Sequence, residues 1–233
     1  MEAQQPDRRW IILAVFAALA VIVVGAILIS RSGGGDNGGD DTTAASSGGE
    51  SGGCKKVEAP APKSVSFDKP DQVVEQGEEV NVVMATSCGT FTITLDTERA
   101  PKTANSFAFL SEEGFYDDLT FHRVVPGFVI QGGDPTGAGS GGPGYSVDEK
   151  PPANIEYTKG LVAMAKSETE PPGRSGSQFY VVTAPDAGLP AEYALVGEVT
   201  DGFDAVERIE KQGEGDGPPK QTILIESATV ERE

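Results

Sequence analysis

The chain has 233 residues, 38% of them hydrophobic, and carries 36 acidic against 18 basic side chains for a formal charge of -18. That is enough apolar material for one folded core, and the negative field opposes nucleic acid and anionic surfaces as partners. A single histidine and two cysteines leave too few soft ligands for a metal centre, so no metal and no cofactor is expected.

Residues 10–30, "WIILAVFAALAVIVVGAILIS", form an uncharged, mostly apolar run whose length as a helix matches the hydrocarbon core of a bilayer. They predict a transmembrane helix. A cleaved signal peptide is the alternative, but the run is long for one, and a small-x-small site occurs only beyond it, at Ser30-Arg31-Ser32. Arg8 and Arg9 precede the run, so the positive-inside tendency places residues 1–9 in the cytoplasm and the rest outside. The expectation is a single-pass cell-membrane protein with an extracytoplasmic domain.

Residues 31–63 are rich in Gly, Ser and Asp and end in "APAPK", a composition that predicts a disordered linker. Cys54 lies near its end and Cys88 follows in "MATSCGTFTITLD". Outside a membrane an even cysteine count invites a disulfide between them, worth about 3 to 4 kcal/mol for a loop of this size; two free thiols are the alternative.

Residues 64–233 read as the folded domain. "EEVNVVMATSCGTFTITLD" places β-branched alternation on both sides of a turn signal and predicts an antiparallel hairpin. "PKTANSFAFLSEEGF" predicts a helix with Pro101 in its first turn, Thr103 as a capping residue and a stop at Gly114. Short apolar segments follow at 119–125, 128–130, 160–165, 178–183 and 193–199, each bounded by Gly, Pro or Asp. A second helix over "DAVERIEKQ" and a last strand over "QTILIESATVE" complete the order. Many short strands with two helices predict a mainly β fold, a closed antiparallel barrel capped by the helices.

Two motifs mislead. Residues 137–142 satisfy G-x-G-x-x-G, but Pro143 and Gly144 follow where a helix would have to start, so they do not form a dinucleotide site. His122 has no nucleophile elbow to serve and reads as a packed, hydrogen-bonded structural side chain.

The segments "FHRVVPGFVIQGGD", "GLVAMA", "GSQFYVVT" and "ALVGEV", in this order, closely resemble the cyclophilin family of peptidyl-prolyl cis-trans isomerases, from about Asn81 to Val230. With the apolar run in front, the chain resembles a membrane-anchored bacterial type. The resemblance implies an eight-stranded antiparallel barrel capped by two helices, and a monomer acting on X-Pro bonds of unfolded or partly folded extracytoplasmic polypeptides. It also implies roles. Arg123 matches the catalytic arginine and Gln131 the glutamine that helps hold substrate and arginine. Phe128, Val129 and Leu189 match hydrophobic walls, and Tyr180 an aromatic pocket position. Ala165 matches a contact to the substrate backbone, Gln178 follows the Gly-Ser pair, and Tyr193 stands where many members have histidine. Strand parity adds a condition: Arg123, Val129 and Gln131 share a face of an unbroken strand while Phe128 points away, so Pro126-Gly127 must bend the chain for all to converge.

Departures from the family pattern are Lys166, where the best-known members have asparagine, a longer "KSETEPPGRS" segment, and Gly188, where cyclosporin-sensitive members carry tryptophan. The other functional class compatible with these residues is a catalytically weak proline-binding or chaperone-like module. Retention of Arg123 and Gln131 favours the enzyme, because gripping a proline ring needs no guanidinium.

Overall fold

The computed structural model of the protein describes residues 53–232. The helix expected over 10–30 and most of the linker therefore lie outside the described residues. Residues 54–79 carry no helix or strand, yet they run along the domain surface and are tied to it. Cys54 is bonded to Cys88, the Lys55 N–H donates to the Ser87 carbonyl at 2.7 Å, and the Lys63 N–H to that of Pro135 at 2.8 Å. Phe67 sets its ring against Phe109, with centroids 5.2 Å apart.

Strands β1 (Val80–Thr86) and β2 (Gly89–Leu95) form the expected hairpin. Their alternation places Val80, Val82, Met84, Phe91 and Ile93 in the core at 0 or 1% exposure. Helix α1 (Pro101–Glu112) follows, with Phe107 and Leu110 fully buried. Its N-terminus is not capped by Thr103. The carboxylate of Glu149, 46 residues away, accepts from the Lys102 N–H at 3.1 Å and from the Thr103 N–H and hydroxyl at 2.7 Å each. A carboxylate answers the unpaired amides and the positive end of the helix dipole better than the local hydroxyl does.

The short segments become β3 (Leu119–Thr120), β4 (Arg123–Val125), β5 (Val129–Gly132), β6 (Val147–Asp148), β7 (Leu161–Met164), β8 (Arg174–Ser175) and β9 (Phe179–Val182). Then come β10 (Leu195–Asp201), helix α2 (Phe203–Glu210) and β11 (Leu224–Arg232). Nine strands form one antiparallel sheet in the order β3-β11-β1-β2-β10-β7-β9-β5-β4, and β6 pairs with β8 as a separate ribbon.

The expected closed eight-stranded barrel is thus corrected to a curled sheet that does not close. Its edge strands are β3 and β4, which do not pair with each other. Phe121 and His122, which separate them in sequence, form no turn that would fold one strand back on the other. The gap is bridged by the segment between α2 and β11: the Phe121 N–H donates to the Ile223 carbonyl at 3.0 Å, and the Val124 N–H to that of Gly217 at 2.8 Å. An irregular loop thereby covers amides that a bare edge would expose.

The main core is filled by aromatic contacts, Phe107 tilted against Tyr116 at 4.9 Å and edge-on to Phe179 at 5.3 Å. A second, smaller apolar cluster gathers Val129 of β5, Ala163 of β7 and Tyr180 and Val182 of β9 around the loop residue Tyr157, with Phe128, Leu189 and Tyr193 packed against it.

Candidate active site

Residues 126–128 form the tight turn between β4 and β5, closed by the Phe128 N–H donating to the Val125 carbonyl at 3.0 Å. Gly127 takes φ +72° there, a conformation that costs glycine nothing. The hairpin register pairs Arg123 directly with Gln131, so the two side chains stand on the same face. The bend required at Pro126-Gly127 is a full reversal rather than a kink. In the following "GGD", a side chain on Gly133 would meet the Ser177 carbonyl oxygen at 2.4 Å, so β5 leaves the sheet only because that position is bare.

Arg123 is held from two sides. Its Nη1 donates to Gln131 Oε1 at 3.1 Å, and its Nε and Nη2 donate to the two oxygens of Asp216 at 2.5 and 2.8 Å. The guanidinium is raised above its ordinary pKa, chiefly by those bonds, and the Asp216 carboxylate is correspondingly held below the usual carboxylate range. The network continues inward. Gln131 Nε2 donates to Gln178 Oε1 at 3.1 Å, and Gln178 Nε2 to the Gly141 carbonyl at 3.0 Å.

A cleft of 660 Å³ lies beside this line. Gln131, Ala165 and Gln178 border it together with the glycine-rich loop over 139–146 and the far wall at Lys166 and Glu170. The G-x-G-x-x-G run is therefore a cleft wall and opens no helix. Asp134 shapes it by accepting from the Thr136 N–H at 2.7 Å and hydroxyl at 2.8 Å.

The remaining expected residues belong to the apolar cluster. Val129 and Tyr180 are buried, while Phe128, Leu189 and Tyr193 are half-buried. Tyr180 and Tyr193 meet edge-on at 5.7 Å, and the Arg123 guanidinium stands 6.0 Å from the Phe128 ring. The structure thus brings the nine expected positions into two adjoining sets, a polar line with a cleft and an apolar patch. They meet on β5, which carries both Val129 and Gln131, and across the Gln131 to Tyr180 register pair.

Three side chains in this neighbourhood carried no usable signal in the sequence. Asp216 is one of 36 acidic residues and meets Arg123 from 93 positions away. Glu210 accepts from the Gly127 N–H at 2.7 Å, across 83 positions. Tyr157 supports Tyr193 by donating its hydroxyl to that residue's carbonyl at 2.7 Å and accepting from its N–H at 3.0 Å. Burial pushes the Tyr157 phenol up to about 12.

Lys166 is enclosed rather than presented. Its side chain is 6% exposed, lies 3.4 Å from Glu192, 5.5 Å over the Tyr193 ring, and donates to the Ser167 and Glu170 carbonyls at 3.3 Å. It pins the long rim segment. The expectation of a hydrogen-bonded His122 is not met, since neither imidazole nitrogen has a partner among the described residues. Burial lowers its pKa, with the Asp134 carboxylate opposing part of that effect.

The family model for cyclophilin type peptidyl-prolyl cis-trans isomerases matches residues 81–230. The chain belongs to the cyclophilin family. Among relatives of this cyclophilin, a peptidyl-prolyl cis-trans isomerase-like 1 of Gibberella zeae is 35% identical over 159 residues, covering 66% of this chain and 96% of the relative. The peptidyl-prolyl cis-trans isomerase ppi1 of Schizosaccharomyces pombe is 41% identical over 133 residues, covering 55% and 84%. A crystal structure of a Cryptosporidium parvum cyclophilin type peptidyl-prolyl cis-trans isomerase superposes with a TM-score of 0.61 at 31% identity, covering 66% of this chain and 99% of that one. A second structure of that protein, in the presence of the dipeptide Ala-Pro, gives the same TM-score at 30% identity.

This cyclophilin is accordingly a peptidyl-prolyl cis-trans isomerase. The comparisons also correct two expectations. The two sequence relatives named are fungal, and a further one is the peptidyl-prolyl cis-trans isomerase CYP18-2 of Arabidopsis thaliana, so the membrane-anchored bacterial type has no support. The single-pass membrane localisation loses its support with it, since it rested on that type; among the described residues no helix is long and apolar enough to cross a membrane.

Proposed function

We propose that Arg123 and Gln131 catalyse rotation about X-Pro bonds of polypeptide substrates held across the cleft and the apolar patch. The reaction needs no acid, base or nucleophile. Amide resonance sets a barrier of about 18 to 20 kcal/mol, so the uncatalysed step takes tens of seconds or more. In the planar ground state the prolyl nitrogen's lone pair is delocalised and accepts poorly; in the twisted transition state it is localised and accepts well. A guanidinium beside it therefore bonds the transition state better than the ground state, which is the condition for catalysis.

Phe128, Val129, Tyr180, Leu189 and Tyr193 grip the proline ring and exclude water, which strengthens that bond. Ala165 and Gln178 contact the substrate backbone along the cleft. The observation that carries this reading is the Arg123 to Gln131 bond at 3.1 Å on the hairpin whose turn and second strand also supply Phe128 and Val129. The test is the cis-to-trans rate of an Ala-Pro peptide with the full-length chain and with Arg123→Ala. Acceleration that vanishes in the variant with peptide binding kept supports the assignment; acceleration that survives places the catalytic group elsewhere.

Gly188 stands exposed at φ +62° with open space around it, so this position offers no indole to a ligand. We expect cyclosporin to bind in the micromolar range or more weakly, and a submicromolar Kd by titration calorimetry would contradict that.

A further inference from the structure

The last residue of α2 and the segment that follows it touch the β4–β5 hairpin at three successive points. Glu210 Oε1 accepts from the Gly127 N–H at 2.7 Å, the Gly217 carbonyl accepts from the Val124 N–H at 2.8 Å, and Asp216 takes the Nε and Nη2 of Arg123. Pro126 fits against Gly213, where a side chain would meet the proline ring at 2.7 Å. The Asp216 backbone is therefore fixed beside β4 by its neighbour Gly217, although the carboxylate itself is 64% exposed.

A guanidinium has five N–H donors in one plane. Three are committed here, two to Asp216 and one, from Nη1, to Gln131. The two left over sit one on Nη1 and one on Nη2. Gln131 alone would leave the guanidinium free to swing about a single neutral bond. A bidentate carboxylate fixes both the plane and its rotation, through bonds roughly twice as strong as neutral ones. Exposed ion pairs contribute little to stability, so the consequence of this one should be read in the rate.

We propose that Asp216 is a positioning residue for the isomerase reaction, holding the Nε and Nη2 edge of Arg123 so that its remaining N–H groups are aimed at the prolyl nitrogen. The proposal rests on the assignment of Arg123 as the catalytic group. Because a prepositioned donor acts when the nitrogen becomes an acceptor, the effect falls on kcat rather than on substrate binding.

The experiment is a cycle of Asp216→Ala, Arg123→Ala and the double variant in the full-length chain, with Asp216→Glu as the conservative replacement. Each variant is assayed on an Ala-Pro peptide and its melting temperature recorded. We expect Asp216→Ala to lower kcat about tenfold with KM changed less than twofold and melting unaltered. Asp216→Glu should recover a large part of the loss, and adding Asp216→Ala to Arg123→Ala should cost nothing more. A kcat equal to or above the original in Asp216→Ala, or a tenfold loss that persists without Arg123, overturns the proposal while leaving Arg123 as the catalytic group. Full activity in Arg123→Ala overturns the assignment itself, and this proposal with it.

Discussion

The four longest strands and the five shortest strands of the main sheet divide the work of this cyclophilin between them. β1, β2, β10 and β11 run for 7, 7, 7 and 9 residues, lie side by side around the Phe107 core, and contribute none of the nine site positions. β3, β4, β5, β7 and β9 run for only 2 to 4 residues, and the candidate site side chains come from these or from the loops that adjoin them. A long strand commits alternate side chains to the core and cannot re-aim them. A short one ends in turns that can, which is why Arg123, Gln131 and Tyr180 converge from three strands that sequence separates.

The contrast is sharpest at its two extremes. Arg123→Ala should lower kcat/KM by about a hundred- to a thousandfold, ~3 to 4 kcal/mol of transition-state stabilisation, with the melting temperature held within a few degrees. Phe107→Ala should do the opposite, costing about 3 to 5 kcal/mol in urea unfolding while turnover per folded molecule stays normal. An active but stable Phe107→Ala protein, or an unfolded Arg123→Ala one, would break the division.

The strap formed by residues 54–79, tied down by the Cys54–Cys88 bond, gives a smaller effect on the same side as the core. Cys88→Ser should cost about 3 to 4 kcal/mol by removing a link that closes a 34-residue separation, without changing kcat. Smallest is a pH effect between the two regions. His122 sits between β3 and β4 with a lowered pKa, facing Asp134 and next to Arg123. The unfolded chain therefore takes up a proton near pH 6.5 that the folded chain resists, and stability falls as pH drops through that value. His122→Gln should flatten this part of the melting-temperature profile against pH; an unchanged slope would show that the imidazole is not responsible.

The same division explains what could be read in advance. β1 and β2 were legible from alternation because a two-residue period over seven positions leaves little ambiguity. The two-residue strands β6 and β8 have no period to read, and the open edge between β3 and β4 depends on a loop more than 80 residues further on. Within the site, the positions carried by the "FHRVVPGFVIQGGD" and "GSQFYVVT" segments were legible through family likeness. Asp216, Glu210 and Tyr157 were not, because each acts through a partner tens of residues away, and the two carboxylates belong to a residue type common on any acidic surface. The N-terminal cap of α1 was misread for the same reason: Glu149 is remote, and Thr103 was merely near.

The strap also decides how the domain would respond to pulling. Tension applied through residue 53 would not peel residues 54–79 away one hydrogen bond at a time, because the first described contact is covalent and ends at the β1–β2 turn. Load would pass directly into the hairpin and into Arg208 of α2, which donates to the Cys88 carbonyl at 2.6 Å. With the bridge reduced, the strap would become the mechanical fuse, yielding first and leaving the sheet and its β4–β5 hairpin unloaded.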